Sequence, residues 1–183
     1  MRNLNHRMKN IKTLFVFISF LLLVFSSGVS AETQKAVEGA YAPLFKGVDF
    51  DDKQFDLSQD YKKRPIVVSF FSVRCVSCLT VVNALEKFKE REKVTDEIAF
   101  VYVSLDDWKK EAHIPAVWEK VFKHKPTRVN DGGRVIGKQY AVDTLPVTVV
   151  IDKSGKIIYR RDDYNMDFEK EITGMLKDKF LKQ

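Results

Sequence analysis

Ser69-Phe-Phe-Ser-Val-Arg-Cys75-Val-Ser-Cys78-Leu-Thr-Val-Val-Asn-Ala-Leu85 is the stretch on which the reading of this chain turns. It continues an apolar run, Ile66 to Phe71, interrupted only by Ser69. Such a run predicts a strand buried on both faces, the kind covered by helices on either side. A short polar break follows, then two cysteines with two residues between them. From there Cys78, Val81, Leu85 and Phe88 recur at three- and four-residue steps, one face of a helix that runs toward Lys93. These are the only cysteines in the chain, and they sit where a strand hands over to a helix.

Working outward, Ile98 to Leu105 reads as the next strand and Ala116 to Lys123 as a second helix started near Pro115. Asn130-Asp131-Gly132-Gly133 is a turn, and Val135 to Tyr140 a short helix. Val147 to Asp152 and Ile157 to Arg160 read as two strands of a hairpin around Lys153-Ser154-Gly155-Lys156. The tail from Asp167 places Phe168, Ile172, Met175, Leu176 and Phe180 on one helical face, with Asp167 as the expected N-cap. Toward the N-terminus, Pro43 to Asp49 and Gln54 to Leu57 flank Asp51-Asp52-Lys53, a small hairpin anchored by Leu44, Phe45, Phe50 and Phe55. Residues Glu32 to Tyr41 are small and polar and read as a flexible lead-in. Strands alternating with helices, closed by a hairpin and a helix, predict an α/β domain over 42–183 with helices on both faces of one sheet.

The charge pattern excludes one class of function and supplies an address. The chain has 183 residues and a formal charge of +6, but Arg2, Arg7, Lys9 and Lys12 lie in the first 31 residues, which contain no acid. The remainder is close to neutral, without a basic block interleaved with aromatics, so no nucleic-acid partner is expected. Those first residues have the layout of a secretory signal: a basic segment, an apolar run from Leu14 to Phe25, and Val29-Ser30-Ala31 before a cut. The run is short against the about 20 residues of a membrane span. The alternative is an uncleaved anchor over 14–31. Either way the domain is expected outside the cytoplasm, where thiols tend to be oxidised.

Three readings of the dithiol compete. A structural staple closing so short a loop is worth about 2 kcal/mol, against about 3 for fifteen residues, and joins neighbours a helix already fixes. A zinc or copper site needs further ligands, and beyond the signal the only histidines are His113 and His124, eleven residues apart, which is not a paired-ligand spacing. Redox exchange fits best. A cysteine at a helix N-terminus meets the positive end of the backbone dipole and free amides, so its thiolate is favoured. Cys75 occupies that place, with Arg74 as a neighbouring cation, while Cys78 lies one turn in on the core side. Cys75 is then the attacking thiol and Cys78 the resolving one.

The chain resembles the thioredoxin superfamily, and within it the TlpA/ResA-like extracytoplasmic thiol–disulfide oxidoreductases. The resemblance runs from Ala42-Pro43 to the last helix. It is carried by Ile66-Val-Val-Ser-Phe-Phe leading into Cys75-Val-Ser-Cys78, by Tyr140-Ala-Val-Asp-Thr-Leu-Pro146, and by Val147-Thr-Val-Val-Ile-Asp152-Lys-Ser-Gly155-Lys. It implies a thioredoxin-like fold with a central mixed sheet and an N-terminal hairpin extension. It implies a cis peptide bond at Pro146, with Leu145 and Pro146 beside Cys75 offering backbone to a partner's extended segment. It also implies no cofactor beyond the dithiol, exported protein disulfides as substrates, a membrane thiol carrier as electron donor, and a monomer. In the resembled family one task is keeping apocytochrome c cysteines reduced.

The departures are specific. Arg74 stands where the family usually has tryptophan, Ser77 where it commonly has proline, Ser69 where many thioredoxins carry a buried aspartate, and Val81 where some relatives place a glutamate. Proton transfer from Cys78 then falls to water, to a hydroxyl such as Ser77, or to an acid elsewhere. Arg74 and Ser77 are expected to modulate the Cys75 thiolate, and stabilising it would favour the opposite activity, disulfide formation. A copper-handling module on the same fold is the competing class. Trp108, Trp118 and Tyr140 are expected to pack rather than to act.

Overall fold

The computed structural model describes residues 36–48, 53–107, 110–111, 113–122 and 126–181. The leader over 1–31, Phe50 and Asp51-Asp52 of the hairpin, Trp108 and His124 lie outside the described residues.

Two strands, β1 (Lys46–Val48) and β2 (Gln54–Asp56), form the small antiparallel hairpin, with Lys46 opposite Asp56 and ion-paired to it at 2.8 Å. Of its expected anchors Phe45 and Phe55 are buried and in ring contact, while Leu44 is exposed. A one-turn helix, α1 (Leu57–Asp60), follows, capped by the Asp56 carboxylate, which accepts from the Ser58 amide at 2.9 Å. The main sheet then begins. β3 (Ile66–Phe71) leads into α2 (Val76–Glu92), and β4 (Ala99–Ser104) into α3 (Ile114–Val121). β5 (Thr127–Asn130) and α4 (Val135–Gln139) come next, then the hairpin of β6 (Val147–Ile151) and β7 (Ile157–Arg161), and finally α5 (Phe168–Leu176). The strand order is β5-β4-β3-β6-β7; β3, β4 and β5 are parallel neighbours, and β6 pairs antiparallel with both β3 and β7. The sheet is mixed, as expected.

Side-chain alternation along β3 divides the core. Ile66, Val68 and Phe70 point into a cluster with Phe45, Phe55, Leu57, Ile136 and Tyr140, covered by the hairpin, α1 and α4. Val67 and Phe71 point the other way, into Cys78, Leu85, Phe88, Trp118, Phe168 and Ile172 from α2, α3 and α5. Trp118 and Tyr140 are fully buried, and the Tyr140 hydroxyl donates to the Pro43 carbonyl at 2.9 Å. Burial pushes the Tyr140 phenol far up from its ordinary pKa. Within the second cluster Tyr102 donates to the Glu86 carboxylate at 2.7 Å, and Lys89 bonds the same carboxylate at 2.6 and 2.7 Å. Burial, followed by the Glu86 charge, raises the Tyr102 phenol well above its usual range, so it remains a donor.

Beyond the exposed Leu44 and the helical turn α1, which the sequence reading leaves out, the structure departs from that reading at four further places. β5 is a strand that the sequence reading leaves out, because Thr-Arg-Val-Asn carries a charge where a strand should be apolar. Arg128 is buried by lying over the Trp118 ring at 5.6 Å and bonding Glu119 at 3.1 Å. Helix α3 begins at Ile114, two residues early, with Pro115 in its first turn, where a missing N–H is harmless. Asp167 stands at the start of α5 but makes no side-chain cap bond; its amide donates to the Asn165 side chain at 3.1 Å.

The fourth departure is the lead-in. Residues 36–41 are hydrogen-bonded along β7 rather than loose: the Gly39 amide donates to Ile157, and the Ile157 amide to Ala40. Tyr41 forms an isolated bridge with Lys156. Arg160 buckles this segment to the end of α4, donating to the carbonyls of Ala36 and Tyr140 at 2.8 Å each and of Ala141 at 3.2 Å. An otherwise open sheet edge is covered by this arrangement.

Candidate active site

Cys75 is the N-cap residue of α2, extended at φ −97°, ψ 105°, and its sulfur accepts from the Cys78 amide at 3.1 Å. The two cysteines are joined in a disulfide, with Cα atoms 5.1 Å apart. Their environments differ. Cys78 is fully buried in the cluster under α2, whereas Cys75 is half-buried at its border and the next residue, Val76, is 80% exposed. The Ser77 hydroxyl lies 3.4 Å from the Cys75 sulfur. The first turn of α2 carries no acid to oppose the helix dipole.

Pro146 reaches the same place by sheet register. Val147 pairs with Phe70, so Pro146 follows at the carboxyl end of β3, where the chain turns toward Cys75. The Leu145–Pro146 peptide is cis. Pro146 is buried, and Leu145, half-buried, packs against both core clusters, the second of which also borders Cys75 and Val73. Cys75, Cys78, Ser77, Leu145 and Pro146 therefore follow or face the carboxyl end of β3, in the middle of the sheet.

Arg74, the cation that precedes Cys75, has partners of its own. Its guanidinium is ion-paired with Glu111 and lies 3.7 Å from Asp106. A cation shared between two carboxylates is less able to favour a thiolate than a free one. Ser69 is buried opposite Tyr102 on β4 and Thr148 on β6. His113 is exposed ahead of α3, and among the described residues no group of three or more His, Cys, Asp or Glu is placed to hold a metal ion.

The sequence reading passed over Asp106. This buried acid accepts from Ser72 Oγ at 2.6 Å, the Val73 amide at 2.9 Å and Ser104 Oγ at 3.0 Å, and so grips the residues that lead to Cys75. A signal for it existed: residues just past a strand parallel to β3 lie at the same sheet edge as those just past β3.

The model of the Redoxin family matches residues 37–176, the span that carries every one of these residues. The chain belongs to the Redoxin family. Among individual proteins it is similar to the thiol-disulfide oxidoreductase ResA of Bacillus cereus, 27% identical over 161 residues that cover 82% of this chain and 88% of ResA. Two solved structures share the fold. One is a DsbE-type thiol:disulfide interchange protein from Chlorobium tepidum, with TM-score 0.69 and 17% identity over 79% of this chain and 98% of the other. The other is a thiol-disulfide oxidoreductase from Bacteroides fragilis, with TM-score 0.63 and 24% identity over 76% and 98%. This Redoxin-family chain is a thioredoxin-like thiol–disulfide oxidoreductase of the ResA-like kind.

Proposed function

We propose that the enzyme works outside the cytoplasm as a reductase of disulfides in exported proteins, with Cys75 as nucleophile and Cys78 as resolving thiol. The observation that carries this reading is the asymmetry of the pair: Cys75 at a helix N-terminus on the rim, Cys78 enclosed beneath it. In the reduced enzyme the Cys75 thiolate attacks one sulfur of a partner disulfide, forming a mixed disulfide and expelling the partner's other sulfur as a thiolate, which takes up a proton. Cys78 loses its proton and attacks the Cys75 sulfur. The Cys75–Cys78 disulfide forms, the partner's second sulfur leaves and is protonated, and two electrons have passed to the partner. A membrane thiol carrier returns the enzyme to the dithiol by the reverse exchange.

The placement of Leu145–Pro146 just ahead of β6, opposite the carboxyl end of β3, supports a docking role, with its backbone offered to an extended stretch of the partner as in strand addition. The leader-like first 31 residues support export, and among the described residues no helix is long and apolar enough to cross a membrane. Apocytochrome c thiols are one substrate class that the ResA-like kinship suggests.

The test is partner trapping. Cys78→Ala should accumulate mixed disulfides through Cys75 on exported proteins, while Cys75→Ala should trap none; the reverse pattern, or no covalent partner in either, would overturn the assignment. The direction is read from the reduction potential: well below about −220 mV marks a reductase, and near −120 mV an oxidant. Tight binding of one Cu(I) equivalent by the reduced protein would favour the copper-handling alternative.

A further inference from the structure

The approach to Cys75 is built around a carboxylate. Asp106 stands two residues past the end of β4, and its side chain is 2% exposed. One oxygen accepts from Ser72 Oγ; the other accepts from the Val73 amide and from Ser104 Oγ, which in turn accepts from the Asp106 amide at 3.1 Å. Ser72 carries the grip outward. Its hydroxyl accepts from the Arg74 amide at 3.2 Å, and its carbonyl accepts from the Cys75 amide at 3.1 Å. Three consecutive amides, Val73, Arg74 and Cys75, are thus bonded to Asp106 itself or to a serine that Asp106 holds.

The charges around this turn do not cancel. Arg74, the cation next to Cys75, faces both Asp106 and Glu111. Farther along the same loop Asp107 and Lys110 pair with each other at 3.0 Å. Among the described residues, one positive charge against two carboxylates leaves the turn behind Cys75 with an excess of negative charge. Such an excess weighs against a second anion nearby, and the thiolate is that second anion.

The geometry points to Asp106 as a positioning residue of the dithiol: it fixes the Ser72–Cys75 turn, and its charge, incompletely offset by Arg74, disfavours the Cys75 thiolate and makes the enzyme a stronger reductant. The inference rests on the reading of Cys75 as the nucleophile. It gives Arg74 a defined part, as partner of Asp106 and Glu111. It agrees with the reductase direction proposed above despite Arg74 and Ser77 around the dithiol, because a less stabilised reduced form has a more negative potential.

The test compares two variants of the full chain, Asp106→Asn, which keeps the shape and removes the charge, and Arg74→Ala, which removes the offsetting cation. Two quantities are measured: the pH dependence of Cys75 alkylation by iodoacetamide, and the equilibrium with reduced and oxidised glutathione. Asp106→Asn should lower the Cys75 pKa by about one unit and, at a pH above the Cys75 pKa of both proteins, where the thiolate is the populated form, shift the glutathione equilibrium about tenfold toward the dithiol, about 30 mV less negative. Arg74→Ala should move both in the opposite direction. A turn that merely came loose would carry Cys75 toward the ordinary value of about 8.5 in both variants, so the opposed signs separate charge from slack. Equal signs or unchanged values would overturn the inference. Should Asp106→Asn fail to fold, the exposed Arg74 still decides: a Cys75 pKa unchanged or lowered in Arg74→Ala overturns it. A wild-type dithiol that does not exchange with glutathione at all would overturn the redox reading itself, a different readout from either variant.

Discussion

Two buried carboxylates, Asp106 and Glu86, do different work. Glu86 lies on the inner face of α2, between Lys89 one turn on and the Tyr102 hydroxyl from β4. Its partners are side chains of regular elements, and they tie a helix to the sheet. Asp106 lies in a loop, and its partners are an amide and two hydroxyls, with Arg74 at the rim. Ser72, Val73 and Arg74 belong to the turn that delivers Cys75, while Ser104 ends β4. The same functional group therefore braces the core in one place and sets a reactive residue in the other. What distinguishes them is whether the donors around the carboxylate belong to the scaffold or to the approach to the dithiol.

The strongest way to break this comparison is Glu86→Ala. It leaves Lys89, with its side chain only 12% exposed, and the Tyr102 hydroxyl without their shared acceptor. A loss of about 3 kcal/mol is expected in urea unfolding, with the glutathione potential unchanged. Asp106→Ala orphans two hydroxyls and an amide and should cost about 2 kcal/mol, but here the alkylation profile of Cys75 should change as well. A shift in redox behaviour for Glu86→Ala, or none for Asp106→Ala, would erase the distinction.

Tyr102→Phe sharpens the scaffold side. It should cost about 1 kcal/mol at neutral pH and leave the dithiol untouched. It also carries a pH signature. The folded-state pKa of Tyr102 is raised, so below about pH 10 the phenol is neutral in both states and its contribution is complete. Above that only the unfolded chain ionises, and stability falls by up to about 1.4 kcal/mol per pH unit for this group. The variant should show a shallower alkaline decline in thermal or urea unfolding. The smallest effect is expected at Lys93, which ends α2 in the left-handed region at φ 55°. Lys93→Gly removes the Cβ penalty there and should stabilise by about 0.5 kcal/mol without altering either carboxylate.

Much of the site was legible because it is local. The dithiol spacing, the strand before it and the helix after it lie within one continuous stretch, and Pro146 announces itself just ahead of the hairpin strand β6. What escaped the reading depended on partners distant in sequence. Thr127-Arg128-Val129-Asn130 reads as polar until Trp118 supplies a surface for the guanidinium. Residues 36–41 read as slack until β7 supplies their hydrogen-bond partners. Asp167 has the right chemistry for a cap and the wrong backbone conformation, with Asn165 taking the nearby amide instead.

The opening stretch, Ser69 to Leu85, determined by itself that a strand would deliver two thiols to the start of a helix, because apolar run length and three-to-four-residue spacing are properties of the chain alone. Only the tertiary structure decided what surrounds those thiols. Asp106 is 31 residues from Cys75 and looks in sequence like any loop acid. The parallel pairing of β3 with β4 sets the two loops side by side, and that pairing turns a surface-type residue into a buried acceptor for the turn that leads to Cys75. The partners of Arg74 were decided in the same way, since the fold brings Asp106 and Glu111 to its guanidinium.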